Sequence, residues 1–214
     1  MSTFMQKKTN QVVLATRNAG KMSEFTALLG HLPLYFISQV TLNMPETEEN
    51  GVSFVENALI KARHAARLAN LPAIADDSGI VVDALNGAPG IHSARYAGVH
   101  ANAEDNIKKL LAALKEVPDE NRHATFYCVI VMMLHAADSM PLICTGKWTG
   151  QISREPRGQA GFGYDPVFYV PSMQKTAAEL SATLKNQLSH RRMALQQLIH
   201  LLPEKLCMPS PLNS

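Results

Sequence analysis

Two adjacent carboxylates, Asp76 and Asp77, interrupt a stretch that otherwise reads as buried strand, with Ala73 to Ala75 before them and Ile80 to Val82 after. Burying a carboxylate costs on the order of several kcal/mol unless a cation, a hydrogen bond or a proton compensates. Magnesium suits such a pair, because hard cations prefer carboxylate oxygen and take one or two protein ligands together with water and phosphate. Consecutive side chains on an extended chain point to opposite faces, so one aspartate can bind or act while its neighbour orients it. An exposed Asp-Asp-Ser-Gly turn is the competing reading. A third carboxylate is available in the acidic loop Pro45 to Gly51, where composition does not separate Glu49 from Glu46 and Glu48.

A second candidate is Thr16-Arg17-Asn18-Ala19-Gly20-Lys21, at the junction of an apolar strand and a helix. Free backbone N–H groups at a helix N-terminus attract anions, and the Thr16 hydroxyl, the Asn18 amide and the Lys21 ammonium would supplement them. The segment lacks the spacing of a P-loop and reads equally well as a polar capping turn. Lys61 lies four residues after Asn57 on a later helix and can face a phosphate or water, with water the default.

In Gly161-Phe162-Gly163-Tyr164-Asp165-Pro166, glycines let the backbone approach a ligand closely and Phe162 offers a ring on which a flat base can stack. The third glycine and downstream helix of a dinucleotide fingerprint are missing. Ser189-His190-Arg191-Arg192 opens the last helix, where cations oppose the positive end of the dipole. That conflict points to an anionic or carbonyl-bearing ligand, although a surface histidine is the default. No zinc spacing and no G-x-S-x-G nucleophile motif occurs.

The elements that must position these residues follow from periodicity and end signals. Val12 to Ala15 reads as a strand; Met22, Phe25, Leu28 and Leu29 recur at helical spacing; a second strand falls near Leu34 to Ile37. Ser53-x-x-Glu56 is a capping box that opens an alanine-rich helix running to about Asn70. Asn102 or one of its neighbours starts a helix reaching Lys115. Ala124 to Leu134 and Leu142 to Ile152 are two long strands, expected to pair antiparallel about the turn at Ala137 to Pro141. A strand at Val167 to Val170, a capping box at Thr176-x-x-Glu179 and a last helix from about Ser189, burying Leu195, Leu198, Ile199 and Leu202, complete the chain. Strands alternating with helices, plus an antiparallel pair, predict an α/β fold with a mixed central sheet flanked by helices.

At 214 residues the chain suits one domain that buries roughly 70% of its unfolded surface. The expected divisions are an extension at 1–10, a single domain at 11–203 and a tail at 204–214. A net charge of +2 gives no field suited to polymeric nucleic acid. Three cysteines without a C-x-x-C pair suit a reducing compartment. The apolar stretch after Lys7 and Lys8 is too short for a signal-peptide core, and the longest apolar run, Tyr127 to Leu134, is far short of a membrane span. A cytoplasmic protein without membrane contact is expected.

From Val12 to about Leu202 the chain resembles the noncanonical purine nucleoside triphosphate pyrophosphatases, the inosine triphosphate pyrophosphatase family. The resemblance rests on Thr16-x-Asn18-x-x-Lys21, Phe54-x-Glu56-Asn57-Ala58-x-x-Lys61-Ala62, Ala75-Asp76-Asp77-Ser78-Gly79, Pro89-Gly90-Ile91-x-Ser93-Ala94-Arg95-Tyr96, Gly161 to Pro166 and Ser189-His190-Arg191, in that order. It implies that Thr16, Arg17, Asn18, Ala19, Gly20, Lys21 and Lys61 hold a triphosphate, and that Glu49, Asp76 and Asp77 hold magnesium. Asp77 would be the general base. Ser78, Phe162, Gly163, Tyr164, Asp165, Lys185, His190 and Arg191 would contact substrate, most of them at the base.

The resemblance further implies a homodimer, an elongated two-lobed fold with a cleft between the lobes, and attack of water at the α-phosphorus of inosine, deoxyinosine and xanthosine triphosphates. Arg17 puts a charged side chain in the phosphate loop, and His92 stands where a tyrosine is frequent in the family. The alternatives are a related pyrophosphatase for modified pyrimidine nucleotides and a silent nucleotide-binding sensor.

Overall fold

The computed structural model describes residues 10–206; residues 1–9 of the extension expected at 1–10, and residues 207–214 of the tail expected at 204–214, Cys207 among them, lie outside the described residues. Seven strands, β1 (Gln11–Leu14), β2 (Tyr35–Ser38), β3 (Ala73–Val82), β4 (His123–Met133), β5 (Leu142–Ile152), β6 (Phe168–Val170) and β7 (Lys175–Thr176), form one sheet in the order β2-β1-β3-β4-β5-β6-β7. Pairs β1–β2 and β1–β3 are parallel, whereas β5–β6 and β6–β7 are antiparallel, so the sheet is mixed as expected. The helices are α1 (Ala19–Leu29), α2 (Phe54–Ala69), α3 (Ala103–Ala113), α4 (Ala182–Leu188) and α5 (His190–Lys205). No helix among the described residues is long and apolar enough to cross a membrane.

The chain divides into two compact units. Among the described residues, unit 1 comprises 10–77, 129–145 and 193–206, and unit 2 comprises 78–128 and 146–192, so β3, β4 and β5 each contribute residues to both. In unit 1, Val13, Ala58, Ala62, Ala73 and Val131 are all fully buried in one apolar cluster. The small side chains on one face of α2 let its backbone approach the strands closely. Phe25 and Leu29 of α1 are also withdrawn from water, and each such side chain contributes roughly 2 kcal/mol of apolar transfer. Unit 2 has its own cluster, in which Phe126 meets Trp148 and Phe168 with ring centroids 6.4 and 4.5 Å apart.

Helix ends follow the capping signals. Asn18 caps α1 through Lys21 N–H, Ser53 caps α2 through Glu56 N–H, and α2 ends at Asn70 in the left-handed region. Asn102 and Asp105 form a reciprocal capping box on α3.

Four expectations change. Asp76 to Gly79 do not break a strand in two, because β3 runs unbroken for ten residues and the carboxylates are part of it. The Thr176–Glu179 capping box exists but opens only a 3₁₀ turn, Ala177–Glu179, and α4 then starts from its own cap at Ser181. The two-residue β7 is an additional strand. Finally, α5 continues through Pro203 to Lys205.

That last turn is anchored by a buried ion pair within unit 1. Asp138 accepts Leu134 N–H and Met140 N–H, each at 2.9 Å, and Lys205 Nζ lies 2.8 Å from its Oδ2. Burial by itself would raise the Asp138 carboxyl, yet the two N–H groups and the Lys205 ammonium hold it below the usual carboxylate range. A depressed folded-state pKa contributes stability that is complete above the unfolded value of about 3.9 and lost as pH falls through the folded-state value. Asp138→Asn is therefore expected to lower the unfolding free energy by about 1–3 kcal/mol at pH 7. In urea titrations that difference from wild type should shrink as pH falls below the unfolded-state value and the wild-type carboxylate protonates.

Candidate active site

The parallel strands β1 and β3 deliver two sets of polar residues in unit 1. At the end of β1 the chain turns through Thr16, Arg17 and Asn18 into α1, whose first residues are Ala19, Gly20 and Lys21. Thr16 Oγ1 accepts Asn18 N–H at 3.3 Å, and Asn18 Oδ1 accepts Lys21 N–H at 3.0 Å. The segment is thus a capping turn, and it also presents the first N–H donors of a helix, which have no partner within the helix itself. Arg17 turns to the acidic loop, donating to Met44 O at 2.6 Å and pairing with Glu46 at 3.4 Å.

On β3, Asp76 is 2% exposed and Asp77 5% exposed. Each meets a lysine from a different helix. Lys21 Nζ of α1 lies 2.8 Å from Asp76 Oδ2, and Lys61 Nζ of α2 lies 2.9 Å from Asp77 Oδ1. The same Lys61 ammonium is 3.1 Å from Glu49 Oε1, which separates Glu49 from Glu46 and Glu48. Lys61 therefore does not face water as its exposed-helix default had it. The structure turns it inward onto two carboxylates.

Burial pushes the Asp77 carboxyl above the ordinary range; the Lys61 and Lys21 ammonium groups oppose that rise and Glu49 adds to it. A carboxylate so placed is a stronger base than an exposed one. Burial works against charge on Lys61, but Asp77, Asp76 and Glu49 together outweigh it and hold its pKa above lysine's usual value.

The donor set suits a hard divalent cation. It consists of carboxylate oxygens alone, and two of them already share one positive charge at about 3 Å. Among the described residues the carboxylates are gathered on lysines, and no three His, Cys, Asp or Glu side chains are drawn around a single point.

Unit 2 holds the other predicted residues. Ser78 Oγ accepts from Arg191 Nη2 at 3.2 Å, tying β3 to the first turn of α5. Asp165 is 3% exposed; its Oδ2 accepts Lys185 Nζ at 2.6 Å and Phe162 N–H at 2.8 Å. A Cβ at Gly161 would collide with that Oδ2, and the backbone there has φ +80°, so glycine is required. Gly163 also adopts positive φ.

The Lys185 ammonium lies 4.7 Å from the centre of the Phe162 ring and the Arg191 guanidinium 5.9 Å from it, so two cations face one aromatic surface. Tyr164 is buried and donates its hydroxyl to Ser93 O at 2.8 Å, a structural tie.

His190 and Arg191 are 7% and 1% exposed, so the surface default for this histidine is overturned. The His190 ring stacks on Phe126 at 4.8 Å with an interplanar angle of 11°. Phe126 was missed because an aromatic in a strand carries no signal beyond core packing. Asn57 was read only as a neighbour of Lys61; it is fully buried and reaches Asp77. His92, which stands where the family frequently has a tyrosine, is exposed.

Breaking a buried ion pair strands its surviving charge, at a cost of roughly 3–5 kcal/mol. Lys185→Met should lose about that much stability in urea denaturation, and adding Asp165→Asn should restore part of the loss. Equal stability of wild type and Lys185→Met would mean that Phe162 N–H and the other neighbours of Asp165 suffice without the ammonium.

A model of the Ham1 family matches residues 12–201. The chain is 55% identical over 192 residues to a protein of Shigella flexneri named dITP/XTP pyrophosphatase, covering 90% of this chain and 98% of that one. It is 53% identical over 195 residues to the protein of the same name from Vibrio cholerae, with coverage of 91% and 98%. The solved structure of a HAM1 protein from Coxiella burnetii superposes with a TM-score of 0.85 at 53% identity, covering 91% of this chain and 98% of that one. The Staphylococcus aureus Ham1 protein gives a TM-score of 0.81 at 41% identity, covering 91% and 99%. With its sequence matched from β1 into α5 and its fold shared with both solved proteins, this chain belongs to the Ham1 family.

Proposed function

We propose that the protein hydrolyses noncanonical purine nucleoside triphosphates, among them inosine, deoxyinosine and xanthosine triphosphates, to the monophosphate and pyrophosphate. The relatives' name, dITP/XTP pyrophosphatase, supports the reaction class and substrates. The observation that carries the chemistry is the gathering of Glu49, Asp76 and Asp77 on two lysines within unit 1.

In this reading Lys21, Lys61 and the Thr16 to Gly20 turn neutralise and orient the triphosphate. Glu49, Asp76 and Asp77 would hold magnesium, which when bound offsets phosphate charge and favours departure of pyrophosphate. Asp77 accepts the proton of the water that attacks the α-phosphorus, a role suited to a carboxylate made more basic by burial. Lys61, hydrogen-bonded to Asp77 Oδ1, keeps that carboxylate from turning away.

Base selection falls to unit 2. Phe162 supplies a stacking face, and Lys185, His190 and Arg191 supply donors. Hypoxanthine and xanthine offer a 6-keto acceptor to such donors. Adenine presents a 6-amino donor there, and guanine a 2-amino donor where xanthine has a keto group, so each leaves buried donors facing donors. A site built on hydrogen bonds of this kind discriminates by about 10⁴ or more. We further propose a cytoplasmic homodimer that engages neither membrane nor polymeric nucleic acid.

Pyrophosphate release should be rapid from inosine and xanthosine triphosphates with magnesium, slow from ATP and GTP, and abolished by a chelator. Asp77→Asn should lower kcat by at least about 10²-fold. Equal rates on all four nucleotides would overturn the assignment of base selection to Lys185, His190 and Arg191, and an unimpaired Asp77→Asn variant would remove Asp77 as the base.

A further inference from the structure

We infer that Asn57 is a positioning residue that ties the Glu49 loop to the Asp77 carboxylate and so sets the spacing of the acidic cluster; this rests on the function proposed above. Asn57 lies in the first turn of α2 and is fully buried. A buried primary amide needs partners for both its oxygen and its nitrogen. Those partners lie outside its own helix. Its Oδ1 accepts Gly51 N–H at 2.9 Å, and its Nδ2 donates towards Asp77 Oδ2 at 3.5 Å. The orientation of the amide is not arbitrary, because the Gly51 N–H demands an oxygen and thereby turns the nitrogen to Asp77.

The contacts close a ring. Asn57 meets Oδ2 of Asp77, Lys61 meets Oδ1 at 2.9 Å, and the same ammonium meets Glu49 Oε1 at 3.1 Å. From Glu49 the chain needs two residues to reach Gly51 and return to Asn57. Both oxygens of Asp77 are thus held by side chains of α2, and the Glu49 loop is held by Lys61 at the Glu49 carboxylate and by Asn57 at Gly51 N–H.

The loop rests tightly on the helix at this point. A Cβ at residue 51 would fall 2.8 Å from Asn57 Oδ1 and 2.6 Å from Glu56 Cβ, so glycine is what lets Gly51 N–H reach the amide. Val52 N–H donates to Glu56 Oε2 at 2.7 Å, and Ser53 Oγ accepts Glu56 N–H at 3.2 Å, which fixes the next two residues. Both side-chain contacts of Asn57 go to protein atoms, Gly51 N–H and Asp77 Oδ2. It acts through Glu49 and Asp77.

Two substitutions in the full chain separate the two halves of the contact. Asn57→Ala removes both bonds, while Asn57→Asp keeps an acceptor for Gly51 N–H and loses the donor to Asp77. Four quantities are read: kcat and KM for inosine triphosphate with magnesium, the dissociation constant of Mn²⁺ without nucleotide by electron paramagnetic resonance, exchange of the Gly51 amide hydrogen, and the thermal midpoint.

Both variants are expected to fold and to lose kcat by about 10- to 100-fold with KM changed less than about threefold, and Asn57→Ala to bind Mn²⁺ about tenfold more weakly. Gly51 exchange should accelerate by at least about tenfold in Asn57→Ala and stay near wild type in Asn57→Asp. Wild-type kcat in both variants together with wild-type Mn²⁺ affinity in Asn57→Ala would overturn the inference, as would a lowered thermal midpoint with kcat per folded molecule unchanged. If wild type releases no pyrophosphate from inosine triphosphate, the functional reading fails by itself, and Mn²⁺ affinity with Gly51 exchange still decides the role of Asn57.

Discussion

Two carboxylates on consecutive residues of β3 are taken almost wholly out of water, and the arrangement of unit 1 around them follows from the need to compensate their charge. Stranding an ionised carboxylate in a low-dielectric interior is prohibitive, so each aspartate requires a cation at a fixed place. The cations come from α1 and α2, and a lysine arrives in the right position only if its helix starts at the right residue. Asn18 and Ser53 are therefore more than terminators of orphan N–H groups. By starting the helices they set the rotation that aims Lys21 at Asp76 and Lys61 at Asp77.

The compensation is specific in geometry as well as charge. Lys61 is shared between Asp77 and Glu49, and Asn57 holds the second oxygen of Asp77. A carboxylate bonded at both oxygens has little rotational freedom, which is what an oxygen donor or proton acceptor needs if a substrate is to find it already in place. Chemistry and stability are thus coupled here through the same contacts.

Unit 2 solves similar problems with different partners. Arg122 is 2% exposed, and its guanidinium donates to the carbonyls of Leu114, Ile152 and Ser153 at 2.6, 2.7 and 2.9 Å. Burial, with Arg154 adding, lowers its pKa, and Asp119 opposes. Those three bonds pin the end of α3 to the end of β5. Asp165 and Lys185 pair directly, and His190 is held flat against Phe126. A polar side chain with every direction specified can present one hydrogen-bonding edge, the condition for reading a base.

What could be read before folding was set by short-range physics. Capping is a contact between residues three apart, so the start of α2 at Ser53 was legible, that of α3 was placed only at Asn102 or its neighbours, and β5 was marked from Leu142 to Ile152 at its observed ends. Strands alternating with helices, plus an antiparallel pair, pointed to the mixed α/β sheet, and the motifs around Lys21 and Asp76-Asp77 carried the family resemblance. The fate of individual side chains was not legible. Whether Lys61 faces water or Asp77, sixteen residues away, depends on where β3 lies against α2, and the burial of Arg191 involves Ser78, 113 residues away. The sequence by itself determined which groups had to be neutralised and where helices begin, because those follow from charge and local hydrogen bonding. Only the tertiary structure decided which lysine meets which carboxylate, because desolvation and pairing act at contact distance between segments far apart along the chain.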